Sequence, residues 1–121
     1  MSKVLVVDDV PTELAMISKV LEDAGFQVVK ANDGEEAIAS IQDSLPDIVV
    51  LDVVMPRMNG FEVIREIRDN QKTKNLPVVF CTQKNTQIDQ TWGMELGADA
   101  YLSKPFVPEQ LLNTIERLVQ G

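Results

Sequence analysis

The sequence has no histidine among its 121 residues. This absence excludes a histidine general base, a histidine metal ligand and a phosphohistidine, so any phosphoryl group on this chain must sit on another residue type. There is one cysteine, Cys81, so no internal disulfide can form. Because Cys81 lies in the apolar run 78–81, we expect it to be a small buried hydrophobic residue.

Long hydrophobic runs and an excess of basic charge are also lacking. No apolar stretch approaches the roughly 20 residues that cross a bilayer, and the four apolar residues before Asp8 are too few for a signal-peptide core. We therefore expect a cytoplasmic protein with no membrane partner. The 11 basic and 19 acidic residues give a net charge of −8. Phosphate backbones repel such a chain, so no nucleic-acid partner is expected.

The composition is that of a compact domain. Hydrophobic residues make up 45% of the chain, enough for a core, and charged residues make up 25%, which excludes a disordered or membrane-spanning chain. No repeat, low-complexity tract or long linker interrupts the sequence. We expect a single domain over residues 1–121.

Five short apolar runs, each followed by a helical pattern, predict five strand–helix units. Runs of this length are typical of strands, and the unbroken first and third runs predict central strands buried on both faces. The more polar second run and the short fifth run predict edge strands. The runs are residues 4–7, 26–29, 48–51, 78–81 and 100–102.

Apolar residues recur at helical spacing after each run. Pro11 and Gly25 mark the two ends of the first helix. In the fourth helix Ile88, Trp92 and Leu96 step by four, which predicts that they share a face. The apolar positions of the other helices are Leu14, Ile17, Val20 and Leu21; Ala37, Ile38 and Ile41; Phe61, Ile64 and Ile67; and Leu111, Leu112, Ile115, Leu118 and Val119.

Strand–helix alternation predicts a parallel sheet with helices on both faces. Five units fit an α/β fold, the flavodoxin-like doubly wound (βα)5 three-layer sandwich with strand order 2-1-3-4-5. In such a sheet ligands bind beyond the carboxyl ends of the strands, at the point where the strand order reverses. Here that point lies between the first and third strands.

Three aspartates follow these two strands: Asp8 and Asp9 end the first, and Asp52 ends the third. Carboxylates this close repel one another unless a cation offsets their charge, and Mg²⁺ is the natural partner for hard oxygen ligands. The alternative for Asp8 and Asp9 is capping of the first helix, which leaves Asp52 unexplained. The alternative for Asp52 is a solvated residue at a strand end.

Asp52 is predicted to be a nucleophile whose carboxylate oxygen attacks phosphorus to form an acyl phosphate. Such a transfer depends on positioning and charge neutralisation, so a second cation is needed opposite the metal. Lys104, between the fifth strand and Pro105, is the best candidate, with an ordinary surface lysine as the alternative. Thr82 ends the fourth strand on the same edge, where its hydroxyl can donate to a phosphoryl oxygen; the alternative is a residue chosen for β-propensity and a local cap.

With these residues assembled, the chain resembles the response-regulator receiver family of bacterial two-component systems, in its CheY-like single-domain form. The resemblance covers essentially the whole chain. Each motif is weak alone, but together, in order and at the expected spacing, they are specific. The matching stretches are residues 4–9, 46–52, 55–56, 59–60, 82, 97–98, 101 and 104–106.

The resemblance implies a Mg²⁺ site and no other cofactor. Asp52 is the implied phosphoacceptor. Asp9 and Asp52 bind Mg²⁺ directly, Asp8 holds a metal-bound water, and the backbone carbonyl of Val54 supplies a further ligand.

The resemblance also implies that Lys104 pairs with the phosphoryl group and that the Lys104-Pro105 peptide bond is cis. Gly60 is expected to allow the tight turn into the third helix. The implied protein is not an enzyme, beyond slow removal of its own phosphoryl group.

The implied output is a two-state switch. Thr82 moves toward the phosphoryl group, Tyr101 turns inward into the vacated space, and the surface formed by the fourth helix, fifth strand and fifth helix changes. The alternative for Tyr101 is a rim tyrosine with a solvated hydroxyl. The implied partners are a histidine kinase or phosphotransfer protein and a downstream effector at that surface, with the chain itself a monomer.

Some positions depart from the family's commonest pattern. Gln83 follows Thr82 where many receivers have a small residue, and Val54 is apolar where some relatives are polar or charged, so we expect both to alter attack by water on the acyl phosphate. Segment 91–101 is similar to single-domain receivers of pilus-linked chemosensory systems, of the twitching and phototaxis type. Within it, the spacing of Trp92 is more typical of core packing than of a partner contact, although a partly exposed Trp92 could anchor a partner.

Four other classes remain as alternatives. A flavin- or nucleotide-binding enzyme on this fold needs a Gly/Ser/Thr-rich loop after the first strand, and that loop is acidic. A phosphatase with an aspartyl-phosphate intermediate usually has a second acid two residues after the nucleophile, where this chain has Val54. The other two are a phosphorylation-independent scaffold and a receiver fragment of a larger regulator.

Overall fold

The computed structural model describes residues 2–120, except for the side chain of Gln120, and contains one five-stranded sheet with five helices. Strands and helices alternate along the chain. The strands are β1 (Lys3–Val7), β2 (Gln27–Ala31), β3 (Ile48–Leu51), β4 (Val78–Thr82) and β5 (Ala100–Ser103). The helices are α1 (Pro11–Asp23), α2 (Gly34–Asp43), α3 (Gly60–Asp69), α4 (Gln87–Glu95) and α5 (Pro108–Gln120).

All strand pairs are parallel, and their order is β2-β1-β3-β4-β5. This confirms the predicted flavodoxin-like topology, with β1 and β3 as neighbours and with β2 and β5 at the edges. β2 begins one residue later than predicted and extends to Ala31. Phe26 instead packs, partly buried, against the core on one face of the sheet.

Successive strand residues point to opposite faces of the sheet, so the apolar strands supply two cores at once. On one face Leu5, Val49 and Phe80 pack with residues of α2 and α3. On the other face the neighbouring strand residues pack against Leu14, Ile17 and Leu21 of α1 and against Leu111 and Ile115 of α5.

The ends of α1 follow from Pro11 and Gly25. Pro11 occupies the first turn, where its missing N–H has no intrahelical partner to lose. Gly25 follows the helix with a φ of +96°, a left-handed conformation that glycine adopts at little cost. Gly97 does the same after α4, with a φ of +109°.

The helix α4 contradicts one prediction. Ile88 and Trp92 are 82% and 46% exposed, so two of the three residues that sequence spacing placed on one packing face point outward. The third, Leu96, is partly buried and packs against the core. The buried residue of α4 is Gly93, where an added Cβ would lie 2.8 Å from Cε2 of Tyr101. Because Gly93 has no side chain, the helix can lie close to β5, and the aromatic rings of Tyr101 and Phe80 pack against it.

Gly60, at the start of α3, is needed for a different reason than predicted. Its φ is not in the left-handed region. Instead, its N–H donates to the carbonyl oxygen of Val53 at 2.9 Å, and an added Cβ would meet the carbonyl oxygen of Asp52 and lie 2.8 Å from Cα of Val53. The glycine thus allows α3 to begin directly against the backbone of residues 52–53.

Substituting Gly60→Ala should destabilise the fold by about 2 kcal/mol or more, because backbone atoms cannot move aside as side-chain ends do. Gly25→Ala is the control: nothing lies within 4 Å of its added Cβ, so it costs only left-handed strain, about 1 kcal/mol. Urea unfolding of both variants measures the difference. An equal or smaller effect at Gly60 would contradict the close approach.

Candidate functional site

The three predicted aspartates meet at the carboxyl edge of the sheet. Asp8 follows β1, and its N–H donates to the carbonyl oxygen of Ala31 at 3.2 Å. Asp52 follows β3, and its N–H donates to the carbonyl oxygen of Val7 at 3.0 Å, which continues the pairing of β1 with β3. The backbone of the sheet therefore places Asp52 beside the end of β1.

The carboxylates are close enough to share a cation. One oxygen from each of Asp8, Asp9 and Asp52 lies within 4.8 Å of the others. Asp8 and Asp52 are 1% and 6% exposed, while Asp9 is intermediate and lines the cleft above them. An all-oxygen set that is partly open to water fits Mg²⁺, which keeps several water ligands in protein sites.

The capping alternative for Asp8 and Asp9 is not what the structure shows. The residue that precedes α1 is Val10, and no side chain caps this helix. Asp8 instead uses Oδ1 to accept the N–H of Val10 at 2.9 Å, and it uses Oδ2 to accept a hydrogen bond from Lys104 at 2.7 Å.

The ammonium group of Lys104 lies among these carboxylates, as predicted. Its Nζ is 2.7 Å from Oδ2 of Asp8 and 3.1 Å from Oδ2 of Asp52, and it also pairs with Oε1 of Glu13. The Lys104 side chain is only 6% exposed, which excludes an ordinary surface lysine. The Lys104-Pro105 bond is cis, as expected from the resemblance.

These contacts change the protonation equilibria of the buried groups. Burial raises the pKa of the Asp8 carboxyl, although hydrogen bonds from Lys104 and from the N–H of Val10 act in the opposite direction. Burial also acts to lower the pKa of Lys104, but hydrogen bonds to Asp8 and Glu13, together with the charge of Asp52, outweigh it. The pKa of Lys104 is therefore held above its ordinary value, and the ammonium stays charged.

Glu13 is the member of this cluster that sequence reasoning missed. It lies in the first turn of α1 and lines the cleft with Asp52 and Lys104. The available signal was its position in the first turn of the helix that follows Asp8 and Asp9.

Thr82 and Lys104 are joined through the backbone. The N–H of Lys104 donates to the carbonyl oxygen of Thr82 at 2.9 Å, so the two predicted phosphoryl contacts are neighbours at the ends of β4 and β5. The Thr82 side chain is fully buried, and its Oγ1 accepts the N–H of Lys84 at 3.1 Å. A donor contact from Thr82 to a phosphoryl group stays a prediction.

Tyr101 is connected to Thr82 through Lys84. Its ring is half-buried, with its centroid 5.5 Å from that of Phe80, and its hydroxyl donates to the carbonyl oxygen of Lys84. Burial, with the negative charges of Asp89 and Asp52, raises the pKa of Tyr101 to about 12, so the phenol is neutral and remains a donor. The hydroxyl thus has a protein partner at the rim, and the inward turn of Tyr101 stays a prediction.

Two further residues border the site as expected. Val54 is 58% exposed and Gln83 is exposed, and both line a cleft of about 180 Å³ with Asp9, Asp52 and Lys104. The N–H of Val54 donates to Oδ1 of Asp52 at 3.1 Å. The expected Mg²⁺ contact of the Val54 carbonyl oxygen stays a prediction.

Cys81 takes no part in this chemistry. It is 1% exposed, and burial raises the pKa of its thiol to about 12, so it is the small buried hydrophobic residue that was expected. Within residues 2–120, no helix is both long and apolar enough to cross a membrane.

Curated relatives match the chain closely. Protein PilH of Pseudomonas aeruginosa is 40% identical over 121 residues, which is the full length of both chains. The alkaline phosphatase synthesis transcriptional regulatory protein PhoP of Bacillus subtilis is 36% identical over 98% of this chain, which spans 48% of that longer protein.

Solved structures match as well. The chemotaxis protein CheY4 of Vibrio cholerae is 40% identical, with a TM-score of 0.92 and 98% of each chain covered. The receiver domain of a sensor histidine kinase from Pseudomonas aeruginosa is 27% identical, with a TM-score of 0.92 over 99% of this chain and 98% of that one. It holds a magnesium ion coordinated in its active-site cleft.

The family described as the response regulator receiver domain matches residues 4–116. This match includes residues of all five strands and the acidic cluster that is typical of a receiver Mg²⁺ site. The chain therefore belongs to the response regulator receiver family of two-component signalling, whose domains are not classical enzymes.

Proposed function

We propose that this chain is a phosphoacceptor response regulator that receives a phosphoryl group on Asp52 from a histidine kinase or phosphotransfer protein. The observation that carries the proposal is the shared ammonium: Lys104 contacts both Asp52 and Asp8 in a cleft that also holds Asp9. A buried cation beside a buried carboxylate offers positive charge where a phosphoryl group would bring negative charge.

The chemistry of the transfer is simple. One carboxylate oxygen of Asp52 attacks the phosphorus of the donor, a P–O bond forms, and the bond from phosphorus to the donor's leaving atom breaks. The leaving group keeps that electron pair. Lys104 then pairs with a phosphoryl oxygen and retains its proton throughout, consistent with its raised pKa.

The residues proposed to hold Mg²⁺ are Asp9 and Asp52 directly, Asp8 through a water, and Val54 through its backbone carbonyl. When bound, the metal would supply positive charge to the phosphoryl group in addition to that of Lys104. The proximity of the three carboxylates and the magnesium-containing relative support this assignment.

The output we propose is a change of the surface made by α4, β5 and α5, which would bind an effector protein. The hydrogen bonds that support it run from the site outward. The N–H of Lys104 donates to the carbonyl oxygen of Thr82, and the N–H of Lys84 donates to the Thr82 hydroxyl. The carbonyl oxygen of Lys84 accepts a hydrogen bond from the hydroxyl of Tyr101. The Tyr101 ring lies against Gly93 of α4. Occupying the site would bias this contiguous set of contacts between two arrangements.

Exposed apolar side chains on α4 support a protein partner at this surface. Ile88 and Trp92, four residues apart on one face of the helix, are 82% and 46% exposed, and Met94 on another face is 45% exposed. The anchoring role of Trp92, weighed against core packing from the sequence, is the one that its exposure favours.

We propose control of motility, pili or taxis as the process. The full-length match to Protein PilH, the match to a chemotaxis protein of known structure, and the resemblance of segment 91–101 to pilus-linked receivers support it. We also propose that residues 1–121 form one receiver domain that acts as a monomer. A receiver portion of a larger regulator is the second candidate, since the chain spans about half of relatives such as PhoP.

Acetyl phosphate with Mg²⁺ should add one phosphoryl group, on Asp52, and Asp52→Asn should abolish it because the amide is not a nucleophile. Mass spectrometry of the intact protein and of its peptides measures the adduct. The control is Asp43→Asn, an exposed aspartate at the end of α2. Modification that persists in Asp52→Asn, or that forms without a divalent ion, would refute the assignment, and signalling unchanged by Asp52→Ala would support the scaffold instead.

Trp92 is the only tryptophan, so its fluorescence reports on α4. Fluoroberyllate, which mimics a phosphoryl group on a carboxylate, should change the Trp92 emission in the presence of Mg²⁺. Thr82→Ala should lose most of this change because the hydroxyl beside the site is gone, whereas Thr114→Ala on α5 should keep it. A full response in Thr82→Ala would argue against Thr82 as the link.

The Gln83→Ala variant should shed its phosphoryl group severalfold faster than wild type, since a smaller side chain opens the cleft to water. Val54→Asn should also change the decay rate, because it puts a polar group beside Asp52. Decay is followed as release of inorganic phosphate from the purified phosphoprotein. Rates equal to wild type in both variants would show that neither side chain controls access.

A further inference from the structure

The ammonium group of Lys104 is surrounded by carboxylates before any phosphoryl group arrives. An ammonium group has three N–H donors and no acceptor. In this structure three carboxylate oxygens surround Nζ, one each from Asp8, Glu13 and Asp52. A phosphoryl oxygen that pairs with Lys104 therefore competes with these carboxylates for its N–H groups.

The three carboxylates differ in how easily they can leave. The Asp8 side chain is 1% exposed, and its other oxygen is held by the N–H of Val10. The Asp52 side chain is 8% exposed and is itself the proposed phosphoacceptor. The Glu13 side chain is 29% exposed, so it alone can exchange the ammonium for water without leaving a charge buried.

The place of Glu13 in the helix makes its release easier still. It lies in the first turn of α1, where the positive end of the helix dipole favours a negative side chain. Moreover, three carboxylates, those of Asp8, Glu13 and Asp52, already contact one ammonium, so the cluster carries an excess of negative charge. A phosphoryl group adds negative charge, and its repulsion acts on the most mobile of these side chains.

We propose that Glu13 is a positioning residue that holds Lys104 in the unphosphorylated protein and yields it to a phosphoryl oxygen when Asp52 is modified. This inference rests on the proposed phosphorylation of Asp52. The exchange alters hydrogen-bond partners only, and Lys104 keeps its proton. Glu13 is thus an internal competitor of the phosphoryl group, and it lowers the affinity of the site for it.

The competition has a kinetic signature that a purely structural role lacks. In the unmodified protein Glu13 occupies Lys104, so removing its charge should speed acquisition of the phosphoryl group. Once the acyl phosphate has formed, Glu13 no longer contacts Lys104, so the same change should leave the decay rate unaltered.

The test compares Glu13→Gln with Glu22→Gln, which removes one negative charge from the exposed far end of the same helix. With saturating Mg²⁺, fluoroberyllate should bind Glu13→Gln about fivefold tighter than wild type, the size expected for one partly exposed ion pair. Glu22→Gln should match wild type. Affinities are measured by titration calorimetry, which does not depend on phosphotransfer.

The same variants are then phosphorylated with acetyl phosphate. Glu13→Gln should react about fivefold faster at low donor concentration and decay at the wild-type rate. Should Glu13→Gln fold poorly in urea unfolding, Glu13→Asp serves as the second variant. Its shorter side chain keeps the charge but withdraws it from Lys104, so it should show a smaller gain in the same direction.

Two results would overturn the inference. The first is wild-type affinity and wild-type phosphorylation rate in Glu13→Gln. The second is a parallel change in formation and decay, which would mean that the substitution distorts the whole site. Both differ from failure of the proposed function itself, which would appear as no adduct on Asp52 in the wild-type protein.

Discussion

The ion cluster around Lys104 is the interaction on which the site depends. A buried ammonium and two nearly buried carboxylates are each unfavourable alone, because each would lose its hydration without compensation. Together they satisfy one another: Lys104, from the turn after β5, meets Asp8 after β1 and Asp52 after β3. Removing the ammonium or the carboxylates would leave the remaining charge buried without a partner. The cluster therefore requires that the ends of β1, β3 and β5 lie together. The strand order is what makes this geometry possible, since it makes β1 and β3 neighbours.

The link from this cluster to the outer surface is short. Lys104 and Thr82 share a backbone hydrogen bond, and the next contacts, through Lys84, reach Tyr101 and then Gly93 of α4. Every step is a direct contact between neighbouring groups, so no long pathway has to be invoked. The physical requirement for a switch is a set of contacts with two arrangements whose balance the site can bias.

The topology and the aspartates could be predicted because each depends on backbone pattern alone. Unbroken apolar runs place β1 and β3 in the centre, and the residues that follow them must then lie at one edge. The outward orientation of Ile88 and Trp92 on α4 could not be predicted, because the buried residue of this helix is Gly93, and a glycine does not contribute to a pattern of hydrophobic residues. The contact of Glu13 with Lys104 also escaped, since it depends on side-chain reach between elements far apart in sequence. Gly60 was predicted to allow a tight turn, but the structure requires a glycine there because the backbone of Asp52 lies too close for a side chain.

That close approach ties the stability of the protein to its chemistry. The first residue of α3 rests on the same peptide that carries the proposed nucleophile, and Val63, Ile64 and Ile67 of α3 are buried in the core below. Repacking this half of the interior would therefore act on the backbone position of Asp52. Substitutions that change how α3 packs consequently also affect the position of Asp52. Selection for thermal stability and selection for signalling must therefore act on these positions together.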